Sequence, residues 1–517
     1  MKQLLVMAAV VLFGGCMTFP MEDSAPYTSG PEKRDVPHWY AESTAAIFPT
    51  GGPRSDDDCV LGRMIVASSS GAAGDPGTPA ILLRDFHNTA ADLTPLDHAK
   101  IQGIDGKDDL TITADHILVR RATGELILIW GGVTWDDEFP GATPAWSSVD
   151  VRGDGRKGLR AVLYSFRSFD CGSTWTAMKE IDAGDSNLLN GDLGWPRDNW
   201  HGGFDRLEAY ADPFTGNVYL TAWSVSGGRP SIPTVPQRAH MVLFLLRPGQ
   251  TQWELLVSFE ASGSNTGTFD SVDVPMVMAT TNQGRLYLAQ CDGGTVKLYW
   301  MNKDHIAIGN KSLSGKMDLV KAGEGNDCAT LPAGSIAGGF DSYYDSWPLL
   351  SRWYAGPSSG GVRLAYPMVE NGRQVARILM INDLTGPKID VTELTTLDAG
   401  DRSIVQAAFI ENDPTEMQTL TDVTAMYWLA GNREAMQAEY TIWRGPFFEK
   451  TKALSVSNGK TVSWVPKLYG NWGGDYFRGA SYAAGGKVFY FMQWPQSDAT
   501  AAEPNSNLHY RVVAAKP

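Results

Sequence analysis

Cysteine and histidine are scarce in this chain of 517 residues, at five and eight, and neither type falls into a metal-binding spacing. There is no C-x-x-C pair and no H-E-x-x-H pattern, which argues against a cysteine zinc site and a zincin-type metalloprotease. A phosphate-binding glycine loop is also missing, so the sequence points to no bound cofactor. Positive charge is short as well, with 43 Lys and Arg against 58 Asp and Glu and a net charge of −15. Nucleic acid as a partner requires clustered Lys and Arg, and no such cluster occurs. Long runs of Ala, Leu, Glu and Lys at helical spacing are few, and no apolar run is long enough to cross a bilayer comfortably as a permanent helix.

What the chain has in quantity is turn and strand material: 55 Gly, 17 Trp, 18 Tyr and 19 Phe. These supply hairpin turns and aromatic filling for pleated sheets. At the N-terminus, Lys2 precedes an apolar run over residues 4–13 and then Gly14-Gly15-Cys16. This reads as an export signal. Small residues before a cysteine resemble the bacterial lipoprotein signal, although Phe13 stands where Leu is usual. The resemblance implies lipidation at Cys16, a cell-envelope or secreted location, and membrane contact only through that lipid. Beyond it, Cys59, Cys171, Cys291 and Cys328 can pair in three ways in an oxidising compartment or stay as buried thiols.

Residues 17–60 are rich in Pro, Gly, Ser and acids, including Asp56-Asp57-Asp58, and read as a tether and irregular lead-in. The body, residues 61–517, repeats one theme of a polar or aromatic start, a short apolar strand, a Gly turn and a second apolar strand. Copies begin near Asp115, Asp205, Asp273, Tyr344-Asp345, Asp401-Arg402 and Asp475-Tyr476. Six such units predict an all-β fold, a six-bladed β-propeller of four-stranded antiparallel blades. Residues 63–68 or 80–83 are the strands expected to close the ring on residues 508–513.

The run Ser168-Phe169-Asp170-Cys171-Gly172-Ser173-Thr174-Trp175 matches S-x-D-x-G-x-T-W at every fixed position. It is similar to the Asp-box (BNR repeat) of sialidase-like β-propellers. The spacing has a local rationale: Asp170 accepts turn N–H groups, Gly172 takes a positive φ, and Trp175 folds back as an apolar plug. Ser168 and Thr174 complete this structural set. Residues 122–131 resemble the first blade of that superfamily, and Asp475-Tyr476 with residues 485–491 resembles the stretch carrying its nucleophilic tyrosine.

By this resemblance Tyr476 is the nucleophile, Glu208 its base, and Asp136, Asp137 or Asp150 the acid/base. A neutral phenol suits a sugar whose anomeric carbon already bears a carboxylate, because it is not repelled as a carboxylate nucleophile would be. Arginines would grip that carboxylate through paired donors. Arg206, Arg478, Arg402 and Arg352 are the candidates, but the superfamily's first arginine motif is absent, for Thr113-Ala114-Asp115-His116 stands in its place. Independently of the resemblance, residues that start the innermost strands would ring an axial mouth. His116, Asp205, Tyr344, Asp345 and Asp475 join the arginines there, either as ligand contacts or as clamps between blades. Trp195, Trp200 and Trp472 either stack on sugar rings or pack between blades.

The function expected is that of a glycoside hydrolase acting on, or a propeller binding, a glycan at the mouth. The alternative is a non-catalytic carbohydrate- or protein-binding lipoprotein of the cell envelope.

Overall fold

The computed structural model describes the backbone of the strands and their tight turns, and side chains at residues 117–129, 163–172, 174–179, 181, 207–222, 241–258, 276–290, 296–319, 348–352, 361–366, 375–382, 389–393 and 396. Among the described residues there are seven sheets. Their first strands are Trp39–Ile47, Leu110–Arg120, His201–Ala211, Val277–Thr280, Leu349–Tyr354, Ser403–Ile410 and Arg478–Ala484. Each sheet grows outward from that strand as an antiparallel meander, and the second adds Ile101–Gln102 at its outer edge, parallel to Trp175–Ala177. The third, for example, continues through Val218–Ser226 and Arg238–Leu246 to Glu254–Glu260. The first strand of every sheet lies beside that of the next, and the seventh returns to the first. The sheets therefore form a closed ring around an axis, which is a β-propeller.

Seven sheets replace the six units expected from the sequence. The additional one comprises Trp39–Ile47, Arg63–Gly71, Thr78–Asp85 and Thr94–Pro95. Two of its strands, at residues 63–68 and 80–83, were expected as strands, but small residues such as Ser68-Ser69-Ser70-Gly71 and the surrounding Pro, Gly and acids do not announce a whole blade. The stretch read as a tether also carries Met21–Asp23, which pairs with the last strand Ser506–Ala515 through Met21↔Ala515 and Asp23↔Val513. This N-terminal strand fastens the ring. Residues 63–68 and 80–83 instead belong to the first sheet, where Ile65 pairs with Leu83 and Ala67 with Ile81.

The core shows why the strands of the middle sheets read as unbroken apolar runs. In Arg238–Leu246, Val242, Phe244 and Leu246 pack toward the second sheet, while Met241, Leu243 and Leu245 pack toward the fourth. The same alternation separates Leu286 and Leu288 from Tyr287 and Ala289 in the next sheet. Both faces are covered, so both sets of alternate residues are apolar. Each fully buried Leu, Val or Phe contributes about 1.5–3 kcal/mol relative to exposure.

Every blade has two ends. The turns joining its first and second strands and its third and fourth strands share one end, as the pairs Val218↔Ala211 and Val218↔Leu246 show for the third sheet. We term this the turn face. The opposite end, where each innermost strand begins, is the mouth face.

Candidate functional site

The Asp-box forms the turn between the third and fourth strands of the second sheet. Asp170 Oδ1 accepts from the Thr174 amide at 2.8 Å and from the Ser168 hydroxyl at 2.7 Å. Its Oδ2 accepts from the Thr174 hydroxyl at 2.5 Å. Ser168 Oγ in turn accepts from the Gly172 amide at 2.8 Å. Cys171 and Gly172 take φ values of 59° and 85°, a left-handed pair that brings the chain back on itself. Trp175 is fully buried, and its indole N–H donates to the Gly172 carbonyl at 3.0 Å. Burial pushes the Asp170 carboxyl up, but the bonds from Thr174 and Ser168 outweigh it and hold the group below the usual carboxylate range. Such a carboxylate fixes a turn; it is not poised to deliver a proton. Cys171 is disulfide-bonded, and the other half of the bond lies outside the described side chains.

This turn lies on the turn face, at the opposite end of the blade from the mouth. Neighbouring turns on the same face are tied together. Arg121 pairs with Glu125 at 2.5 Å and donates to the Leu246 and Arg247 carbonyls of the third sheet. Arg247 then donates to the Ile306 carbonyl of the fourth sheet at 2.9 Å.

The mouth half of the ring has a different feature, which sequence reading did not anticipate. Four innermost strands break register in their first half or at their centre: between Tyr40 and Ser43, Ile112 and His116, Gly202 and Phe204 and again Asp205 and Glu208, and Ile404 and Gln406. Bulges bend a strand and re-aim side chains, and they concentrate next to binding and catalytic sites. The displaced positions include Glu42, Asp115 and Arg206. No local pattern in the sequence marks an extra residue of this kind, although the acidic start at Asp115 was visible.

Of the expected site residues, Arg206 lies in the bulge of the third sheet, while Asp205 pairs with Trp223. Glu208 resumes the ladder opposite Thr221 and is 7% exposed. His116 resumes it in the second sheet opposite Trp130, and Arg478 begins the innermost strand of the seventh opposite Gln493. These five share the innermost ring. Arg352 lies toward the turn end of its strand and is 1% exposed. It donates to the Tyr210 hydroxyl at 3.3 Å, and its guanidinium sits 5.4 Å from the centre of the Phe214 ring. The sequence did not pair it with either residue. Tyr476, Asp475, Arg402, Tyr344, Asp345, Asp136, Asp137, Asp150, Cys16, Trp195, Trp200 and Trp472 lie outside the described residues.

No family model matches the chain, and no curated protein matches it. Among solved structures, prolyl oligopeptidase B from Galerina marginata is similar at 11% identity and a TM-score of 0.37, over 90% of this chain. This chain spans about half of that one, 51%. The Nup133 β-propeller domain of Vanderwaltozyma polyspora is similar at 9% identity and a TM-score of 0.33, over 88% of this chain and 91% of that one.

Proposed function

We propose that this chain is an exported glycoside hydrolase that takes a glycan at the mouth of the ring. The observation that carries the reading is the set of bulges in four innermost strands, in the mouth half or at the centre of each, with Arg206 in one bulge and Glu208 directly beyond it. Polar residues of separate blades thereby stand on strands that line one axis. Tyr476 is the nucleophile, Glu208 accepts its phenolic proton, and one of Asp136, Asp137 and Asp150 protonates the leaving oxygen. Arg206 and Arg478 hold an anionic group of the sugar. The phenolate oxygen bonds to the anomeric carbon as the aglycone departs; water then releases the sugar with the Asp acting as base.

A second reading, a binding propeller without turnover, draws on Arg352. That arginine is buried against Tyr210 and Phe214, so at least one residue of the expected ligand set serves the scaffold. The deciding experiment is a panel of aryl glycosides assayed with the protein and with Tyr476→Phe. Turnover in the first and its loss in the second supports hydrolysis. Binding without turnover in either supports the second reading, and equal turnover in both removes Tyr476 from the chemistry.

A further inference from the structure

Three large apolar residues are exposed among the described ones: Phe169 at 49%, Phe214 at 47% and Ile308 at 77%. They come from three consecutive sheets and share one face. Phe169 is in the Asp-box turn, Phe214 in the turn after His201–Ala211, and Ile308 directly after the short helix Lys303–Ala307, which joins the third and fourth strands of the fourth sheet. All three are therefore on the turn face. The hydrogen bonds from Arg121 and Arg247 hold these turns in fixed relation to one another.

The N-terminal strand supplies an independent observation. Met21 pairs with Ala515, at the turn end of the seventh sheet, where Val488 also pairs with Ala515 just after the hairpin from Ala484 to Lys487. The chain thus joins the propeller at the turn face and runs from there toward the mouth. Cys16 is five residues before Met21. Even fully extended, that segment reaches only about 17 Å. A lipid on Cys16 would hold the ring within that distance of a bilayer, with the turn face nearest.

We infer that the turn face lies against the membrane and the mouth faces away from it. The inference rests on reading Cys16 as the lipid-bearing residue. The exposed rings suit the interfacial layer. Arg167, half-buried, lies over Phe169 at 5.1 Å, so a cationic group that can meet lipid phosphates stands beside an apolar one. Lys303 and Lys311 are exposed on either side of Ile308, with Asp304 also exposed there. The lipid provides attachment, and the three residues set its orientation by entering the interface on one side only.

The test is hydrogen exchange of the full chain, purified with its native N-terminus, on vesicles of phosphatidylethanolamine and phosphatidylglycerol. The intact mass is recorded first. The inference expects an acylated Cys16 and several-fold slower exchange in residues 167–175, 213–217 and 303–311 on vesicles. Residues 291–296 and 369–374, at the other end of the blades, should be unchanged. Phe169→Ser with Ile308→Ser should abolish the slowing while leaving the acylation and the melting temperature in place. An unmodified Cys16 overturns both the anchor and the orientation. Acylation with slowing at the mouth end, with no slowing, or with slowing that follows protein concentration and not vesicles overturns the orientation alone.

Discussion

The indole N–H of Trp253 in the third sheet donates to the Ser165 hydroxyl of the second at 3.0 Å. Trp253 stands at the same offset from the strand end Leu246 as Trp175 does from Ser168, and Gly249 takes a φ of 74° in its turn. The Asp-box geometry thus has a counterpart in a turn without the Asp, and there the tryptophan locks two blades together. Trp253→Phe should keep the plug and lose the bond, costing about 1 kcal/mol. Trp253→Ala should cost about 3–5 kcal/mol. Denaturant unfolding measures both; a Trp253→Phe variant as stable as the native protein would show that the hydrogen bond contributes nothing, and equal losses in the two variants that the plug contributes nothing.

Asp170 gives a pH signature. Its carboxyl is held below the usual 3.8 in the folded state, so the unfolded chain takes up a proton at higher pH than the folded one. The stabilisation is complete above 3.8 and fades as the pH falls through the lower folded value. Asp170→Asn should melt below the native protein at neutral pH, and the gap should narrow on acidification. A gap independent of pH would assign the loss to packing.

Ring closure is open to direct trapping. Glu22 and Ala514 are register partners on the joined terminal strands. In Glu22→Cys with Ala514→Cys, mild oxidation should form a cross-link between the two ends of the chain, and the melting temperature should rise. A loop this long makes the entropic gain about 6 kcal/mol in the chain-entropy account. Failure to cross-link would place the two strands apart.

Arg352 separates scaffold from ligand contact. Arg352→Met keeps the bulk and removes the charge from the Tyr210 hydroxyl and the Phe214 ring. Stability should fall by about 1–3 kcal/mol, the range for hydrogen bonds to a charged group with a cation–π contact. KM for an active glycoside should stay within twofold; a large rise in KM with unchanged stability would return Arg352 to the ligand.

Legibility followed local chemistry. The Asp-box could be read residue by residue because all its bonds lie within eight residues, from Ser168 to Trp175. The hairpins at Gly124, Gly216 and Gly284 were visible because each needs a positive φ. Of the first sheet, residues 63–68 and 80–83 were legible as strands but not as a blade, because Ser68, Ser69 and Ser70 make no apolar stripe and the flanking strands carry no turn signal. The bulges around Arg206 and Asp115 depend on which partner residue a strand meets, and sequence alone does not carry register. Arg352 was drawn toward the mouth by its position near a blade start; its placement follows from Tyr210 and Phe214 across the ring.

Covalent trapping tests the central claim most directly. An activated 2-fluoro glycoside chosen from the panel hit should leave its sugar on the nucleophile, and peptide mapping should find the adduct on Tyr476. An adduct on Asp136, Asp137, Asp150 or Glu208 would contradict the account.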